Sequence, residues 1–251
     1  MKQALIQASG LTFGYPNGRL ALDRAELSVA AGELVVILGA NGSGKSTLLR
    51  CIAGMLRPAS GRVEVAGQEI SGLAGRPLSD ARMALGMIFQ HSFLVRRRSV
   101  LANVLAGTLG RHRTLATAFG CLPAAERPHA LACLDAVGLR HLALQRASTL
   151  SGGQAQRVSI ARALAQRPRA LLADEPVASL DPEAAQEIMR LLRRVSREDG
   201  LAVLCVLHQP DLACCYADRI VGLRDGRVMF DEKPTQLPDR RVALLYERQA
   251  A

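Results

Sequence analysis

The segment Leu34-Val35-Val36-Ile37-Leu38 followed by Gly39-Ala40-Asn41-Gly42-Ser43-Gly44-Lys45-Ser46-Thr47 decides how this chain is read. The apolar run is strand-length, and the nine residues after it match G-x-x-x-x-G-K-[ST], the phosphate-binding loop, between the strand and helix that pattern requires. A strand should end near Leu38 and a helix begin near Lys45. Glycines let the backbone curl with its N–H groups pointing inward, because no side chain blocks the approach. The helix N-terminus adds a partial positive charge beneath the phosphates. Lys45 is expected to reach the β- and γ-phosphates and Ser46 to hold Mg²⁺. The expected ligand is a nucleoside triphosphate.

Bulk properties narrow what surrounds this loop. A chain of 251 residues can bury one large domain, or one domain with a subdomain. A hydrophobic fraction of 49% argues for a folded protein. No apolar run approaches the ~18 residues of a spanning helix, and Met1 to Gly10 lacks the apolar core of a signal peptide. The expectation is a cytoplasmic protein that does not cross a membrane by itself. Cys51, Cys121, Cys133, Cys205, Cys214 and Cys215 show neither C-x-x-C pairs nor His partners at zinc spacing. They predict no disulfide framework, and the adjacent Cys214 and Cys215 are expected on a helix. The net charge of +10 fits a solvated basic surface, nucleic-acid contact or an anionic membrane nearby. With 3% aromatics and no Trp, a base-stacking surface is disfavoured.

Residues 2 to 35 read as short strands, with turns at Pro16-Asn17-Gly18 and Ala31-Gly32. Lys45 to Leu56 reads as a helix ended by Pro58 and Gly61, and Arg62 to Val65 as an exposed antiparallel strand. Leu85 to Phe89 is a buried strand. Residues 99 to 148 are rich in Ala, Leu and Arg and read as helical, broken at Gly120, Pro123 and Pro128. Thereafter helix 154–166, strand 170–173, helix 182–194 and strand 201–207 alternate, as in a parallel sheet covered by helices. Strands 219–223 and 227–230 close the chain around Asp225-Gly226.

A second anion cradle opens the first of those helices. In Leu150-Ser151-Gly152-Gly153-Gln154, Ser151 is a good N-cap and the glycines leave N–H groups unobstructed. Strand 170–173 runs into Asp174-Glu175, at the C-terminal strand end where α/β folds bind ligands. Asp174 is placed to help hold Mg²⁺ and Glu175 to polarise an attacking water. Gln90 and His208 follow two other strands, and Asp181 lies just beyond Glu175.

With these residues in order, the chain resembles an ATP-binding-cassette ATPase over nearly its whole length. The loop at 39–47, Gln90, Leu150 to Gln154, Asp174-Glu175, Asp181 and His208 match that family's Walker A, Q-loop, signature, Walker B, D-loop and switch histidine. The resemblance implies an α/β fold: a RecA-like P-loop core with an N-terminal antiparallel β region and a helical subdomain, approximately residues 91–160 of a single domain. It implies ATP and Mg²⁺ as cofactors, with Tyr15 (or its neighbour Phe13) stacking on adenine. It implies catalytic roles for Lys45, Glu175 and His208, and Ser46, Gln90 and Asp174 around the metal. Two copies are expected head to tail, with Ser151, Gly152, Gly153, Gln154 and Asp181 of one completing the nucleotide site of the other.

More finely, residues 90–95, 99–104, 174–182, 208–212 and 216–223 resemble the ATPase subunit of phosphonate importers. Ala155 departs from that pattern, since the family usually carries a second Gln there. Expected partners are transmembrane permease subunits, met by Phe93, Leu94 and Arg96 to Arg98, and indirectly a periplasmic substrate-binding protein. The expected location is the cytoplasmic face of the inner membrane. Two alternatives stand: the ATPase of another importer or of an exporter, and a soluble protein of this class acting on nucleic acid. Against the latter, the stretch from Lys45 to Ser151 has no sustained heptads and no Cys-x-x-Cys, so no nucleic-acid partner is expected.

Overall fold

Leu34–Leu38 (β3) is the central strand of the larger sheet, and every one of its residues is buried. Successive side chains of a strand point to opposite faces. Here Leu34, Val36 and Leu38 enter one core, while Val35 and Ile37 enter another. That is why the run reads as continuously apolar rather than alternating. The structure, a computed structural model, describes residues 3–112, 117, 121 and 124–246. Around β3 the six-stranded sheet has the order β10-β9-β3-β8-β7-β6. Its strands are β6 (Leu85–Ile88), β7 (Ala170–Asp174), β8 (Ala202–Val206), β9 (Arg219–Arg224) and β10 (Arg227–Glu232). All pair in parallel except β10, which turns back on β9 through Asp225 and Gly226, both at positive φ.

A second, antiparallel sheet has the order β2-β1-β4-β5, from β1 (Ala4–Gly14), β2 (Leu20–Ala30), β4 (Ser60–Val65) and β5 (Gln68–Glu69). One core lies between the two sheets and takes in α1 (Lys45–Ile52). The other lies on the opposite face of the parallel sheet. It buries residues of α3 (Val100–Ala106), α4 (Arg127–Ala136), α5 (Gly152–Ala165), α6 (Pro182–Asp199) and α7 (Pro210–Tyr216), with α2 (Gly75–Ala81) and α8 (Asp239–Leu244) completing the described helices. No helix among the described residues is long and apolar enough to cross a membrane.

Several boundaries differ from the sequence reading. Helix α1 stops at Ile52 rather than Leu56, because Gly54 adopts φ +64° and turns the chain before Pro58 is reached. Helix α6 runs five residues past Arg194: Val195 and Ser196 are still buried, and Gly200 at φ +69° ends it. Arg62 to Val65 is only half exposed, since Val63 and Val65 point into the inter-sheet core. Of the breaks expected in the helical stretch, Pro128 falls inside the first turn of α4, where proline is tolerated. Gly120 and Pro123 lie outside the described residues. Cys214 and Cys215 are on α7 as expected, both exposed.

Candidate nucleotide site

Register brings the chemistry to one edge of the parallel sheet. Ile37 is level with Val206, and Val206 with Asp174. Gly39 and Glu175, which directly follow β3 and β7, and His208, two residues past β8, therefore emerge together at the C-terminal ends, where open α/β sheets bind ligands.

The loop after β3 wraps closely. A Cβ on Gly39 would run into the Leu223 carbonyl of β9, so the residue must be glycine for the loop to lie against the sheet. Lys45 is almost fully buried; its Nζ donates to the carbonyls of Gly39 at 2.7 Å and Ala40 at 2.9 Å. Burial pulls its pKa below the ordinary lysine value, opposed by the nearby Glu175 and Asp174 carboxylates. Ser43 Oγ is buried without a hydrogen-bond partner among the described residues. That leaves one polar group in the loop for an incoming phosphate to satisfy. Asn41, Gly42, Gly44, Lys45, Ser46 and Thr47 line a cleft of about 180 Å³ with Tyr15, Arg19, Ala21 and Glu175.

Two contacts organise the strand ends. Ser46 Oγ donates to Asp174 Oδ1 at 3.0 Å, which sets a hydroxyl and a carboxylate together. Burial raises the Asp174 pKa, the Ser46 hydrogen bond opposes this, and the Glu175 charge adds to the rise. Glu175 Oε1 lies 2.5 Å from His208 Nε2. Glu175 also holds φ +51°, a conformation uncommon for a residue other than glycine. Such an outlier marks a position fixed by its surroundings rather than by its own preference.

Tyr15 borders the loop, its hydroxyl 3.1 Å from Thr47 Oγ1. Phe13 packs edge-on against it, with ring centroids 5.0 Å apart, and on the inter-sheet core. Tyr15 therefore faces the cleft while Phe13 supports it. The sequence reading missed Arg19, whose Nη2 donates to the Gly42 carbonyl at 2.8 Å. No motif marks Arg19; only its position after the 16–18 turn sets it opposite the loop.

The second cradle is built as a helix start. Ser151 Oγ accepts from Gln154 N at 3.2 Å, and Gln154 Oε1 accepts from Ser151 N at 3.0 Å, a reciprocal capping box. Gly153 permits close packing, since a Cβ there would stand 3.2 Å from the Cβ of Ala184 in α6. Asp181 caps α6 by accepting from Ala184 N at 2.9 Å. Ser151 and Gly152 line a cleft of about 420 Å³ with Gln90, Phe93, Ser179 and Leu180. None of the residues lining that cleft lines the Lys45 cleft. The Lys45 cleft thus takes in Tyr15, Arg19, residues of the 39–47 loop and Glu175, and the second cleft takes in Gln90, Ser151 and Gly152. Gln90 lines the second cleft, and it leaves the sheet two residues past Ile88, which pairs with Ala173 two residues before Glu175.

A strand-loop-helix phosphate cradle, a carboxylate pair at the end of β7 and a second glycine cradle lining a separate cleft define a cassette ATPase. The family model described as ABC transporter matches residues 22–178, and the chain belongs to that family. It is 47% identical over 243 residues to the phosphonates import ATP-binding protein PhnC 3 of Nostoc sp., covering 96% of this chain and 92% of the relative. It is 44% identical to the phosphite import ATP-binding protein PxtA of Stutzerimonas stutzeri, covering 98% of this chain and 88% of that one. Among solved structures, the dimeric post-hydrolysis state of the cassette MJ0796 bound to ADP and Pi aligns with a TM-score of 0.79 at 34% identity, over 91% of this chain and 98% of that one. The protein is an ATP-binding ATPase of the cassette class.

Proposed function

We propose that this ATPase powers the import of phosphonates or related phosphorus oxyanions through a membrane permease. The substrate class rests on one observation: relatives named for phosphonate and phosphite import are 41–50% identical over nearly the whole chain. Nothing in the nucleotide site reads the cargo, because the chemistry there is ATP hydrolysis alone.

In the mechanism, loop N–H groups and Lys45 hold the triphosphate, and Tyr15 stacks on the base. Ser46 and Asp174 supply hard oxygen donors, which suit Mg²⁺. Among the described residues no group of three or more His, Cys, Asp or Glu could hold a metal, so phosphate oxygens and water would complete the shell. When bound, Mg²⁺ neutralises phosphate charge. Glu175 takes the proton of the attacking water, and His208, hydrogen-bonded to it, orients that carboxylate and stabilises the developing charge.

The separation of the two clefts within one chain supports a head-to-tail pair of copies. There Ser151 to Gln154 and Asp181 would serve the partner's ATP, and Gln90 would be drawn toward the phosphates on closure. The partners outside the cassette are permease subunits at the cytoplasmic face of the inner membrane, and through them a periplasmic binding protein. Phe93, 66% exposed and at φ +45°, is set to meet the permease, with Leu94 and Arg96 to Arg98 around it. The residues between Gln90 and about 160 act as the helical subdomain.

The test is growth of the source strain, with and without this chain, on 2-aminoethylphosphonate, phosphite or phosphate as sole phosphorus source. Loss of growth on phosphonate or phosphite, restored by wild type and not by Glu175→Gln, is the expected result. Unchanged growth on all three would overturn the substrate assignment.

A further inference from the structure

The C-terminal segment reaches the nucleotide site from outside every motif considered so far. Val242 and Leu245 are buried in the core on the helix-covered face of the parallel sheet. Arg224 Nη1 of β9 donates to the Leu244 carbonyl at 2.8 Å, and Arg241 pairs with Glu232 of β10. The segment is thus tied to two neighbouring strands, and Tyr246 follows directly.

The Tyr246 hydroxyl donates to the backbone carbonyl of His208 across 3.5 Å. The phenol therefore reaches from the C-terminal segment to the backbone of the residue whose ring meets Glu175. The His208 carbonyl is available for this contact. Leu207 N completes the sheet on Ile37 O, and the first helical bond of α7 runs from Ala213 N to Gln209 O. His208 stands between these two ladders. Partial burial also raises the phenol pKa above the ordinary tyrosine value, which keeps the hydroxyl protonated as a donor at neutral pH.

We propose that Tyr246 is a positioning residue: its hydroxyl ties the His208 backbone to the C-terminal segment, itself held on β9 and β10, and so sets the His208 ring against Glu175. This rests on the reading of Glu175 and His208 as the hydrolytic pair. It makes the C-terminal segment a control point, since whatever draws it off β9 and β10 frees the histidine.

The test is ATP hydrolysis by the full chain carrying Tyr246→Phe, which keeps the ring and removes only the hydroxyl. It is compared with His208→Ala and with the double variant, under steady-state and single-turnover conditions. A neutral hydrogen bond of this kind corresponds to a loss of about threefold to tenfold in kcat. KM for ATP should stay within about twofold and the thermal midpoint should fall by no more than a few degrees, the worth of one hydrogen bond, because a packing role would move both further. In the His208→Ala background the Tyr246→Phe change should cost nothing further. Wild-type kcat in Tyr246→Phe, or the same loss with His208 already removed, would overturn the proposal while leaving the hydrolytic pair intact. Wild-type turnover in His208→Ala would overturn the pair, and the proposal with it.

Discussion

Glu175→Gln separates the chemistry of the site from its shape. The carboxylate Oε1 lies 2.5 Å from His208 Nε2, and a glutamine oxygen can still accept from a neutral imidazole there. The contact and the position of His208 therefore survive, while the proton acceptor is lost. Side-chain general bases contribute about 10²–10⁴-fold to such steps, so kcat should fall at least about 100-fold. Binding should not fall with it. Glu175 borders the Lys45 cleft, so the substitution removes a negative charge beside the phosphates and leaves residues 39–47 untouched. ATP should bind at least as tightly, and the ATP-bound dimer, no longer consuming its nucleotide, should accumulate. Phosphate release under saturating ATP gives the rate; light scattering with and without ATP gives the dimer. A variant turning over within about twofold of wild type would refute the assignment of Glu175 as the base.

Lys45→Ala should do the reverse. It removes the cation buried against Gly39 and Ala40, so ATP affinity measured by a fluorescent analogue should fall at least about tenfold. Asp174→Asn should trade activity for stability: hydrolysis is lost, while the ATP-free fold gains about a few degrees in melting temperature. The sign follows from the raised Asp174 pKa. The charged form is disfavoured in the fold, so Asp174 lowers stability increasingly as pH rises through its folded pKa. The Asn variant's advantage should thus be present at pH 7 and vanish below about pH 4, where both side chains are neutral. Ser151→Ala breaks the α5 capping box and should cost about 1 kcal/mol in chemical denaturation. Phe93→Ser with Leu94→Ser should abolish uptake with basal ATP hydrolysis unchanged; unchanged uptake would contradict the permease contact.

The parts legible in sequence were those where local chemistry and tertiary demand agree. The run 34–38 is apolar because both of its faces are covered, and the glycines after it are required by the Leu223 carbonyl at Gly39. Asp174 and Glu175 could be located because they end an apolar strand. The less legible parts depend on contacts distant in sequence. Residues 75–81 carry a Gly and a Pro and no helical apolar stripe, and they form a helix nonetheless. The reach of α6 to Asp199 needed the buried Val195 and Ser196, which charged neighbours mask in the sequence. Arg19 and Tyr246 belong to the site only through the approach of the 16–18 turn and of α8. The hydrogen bond from His208 to Glu175 had no local signal, since their strands, β8 and β7, become neighbours only in the folded sheet.

The central claim is that ATP hydrolysis at Glu175 drives phosphorus oxyanions into the cell. It is tested most directly by uptake of radiolabelled 2-aminoethylphosphonate into cells lacking the chromosomal copy and expressing wild type or Glu175→Gln at equal levels. Accumulation with wild type, and none above background with Glu175→Gln, is the predicted result. Equal accumulation in both, or none in either, would contradict it.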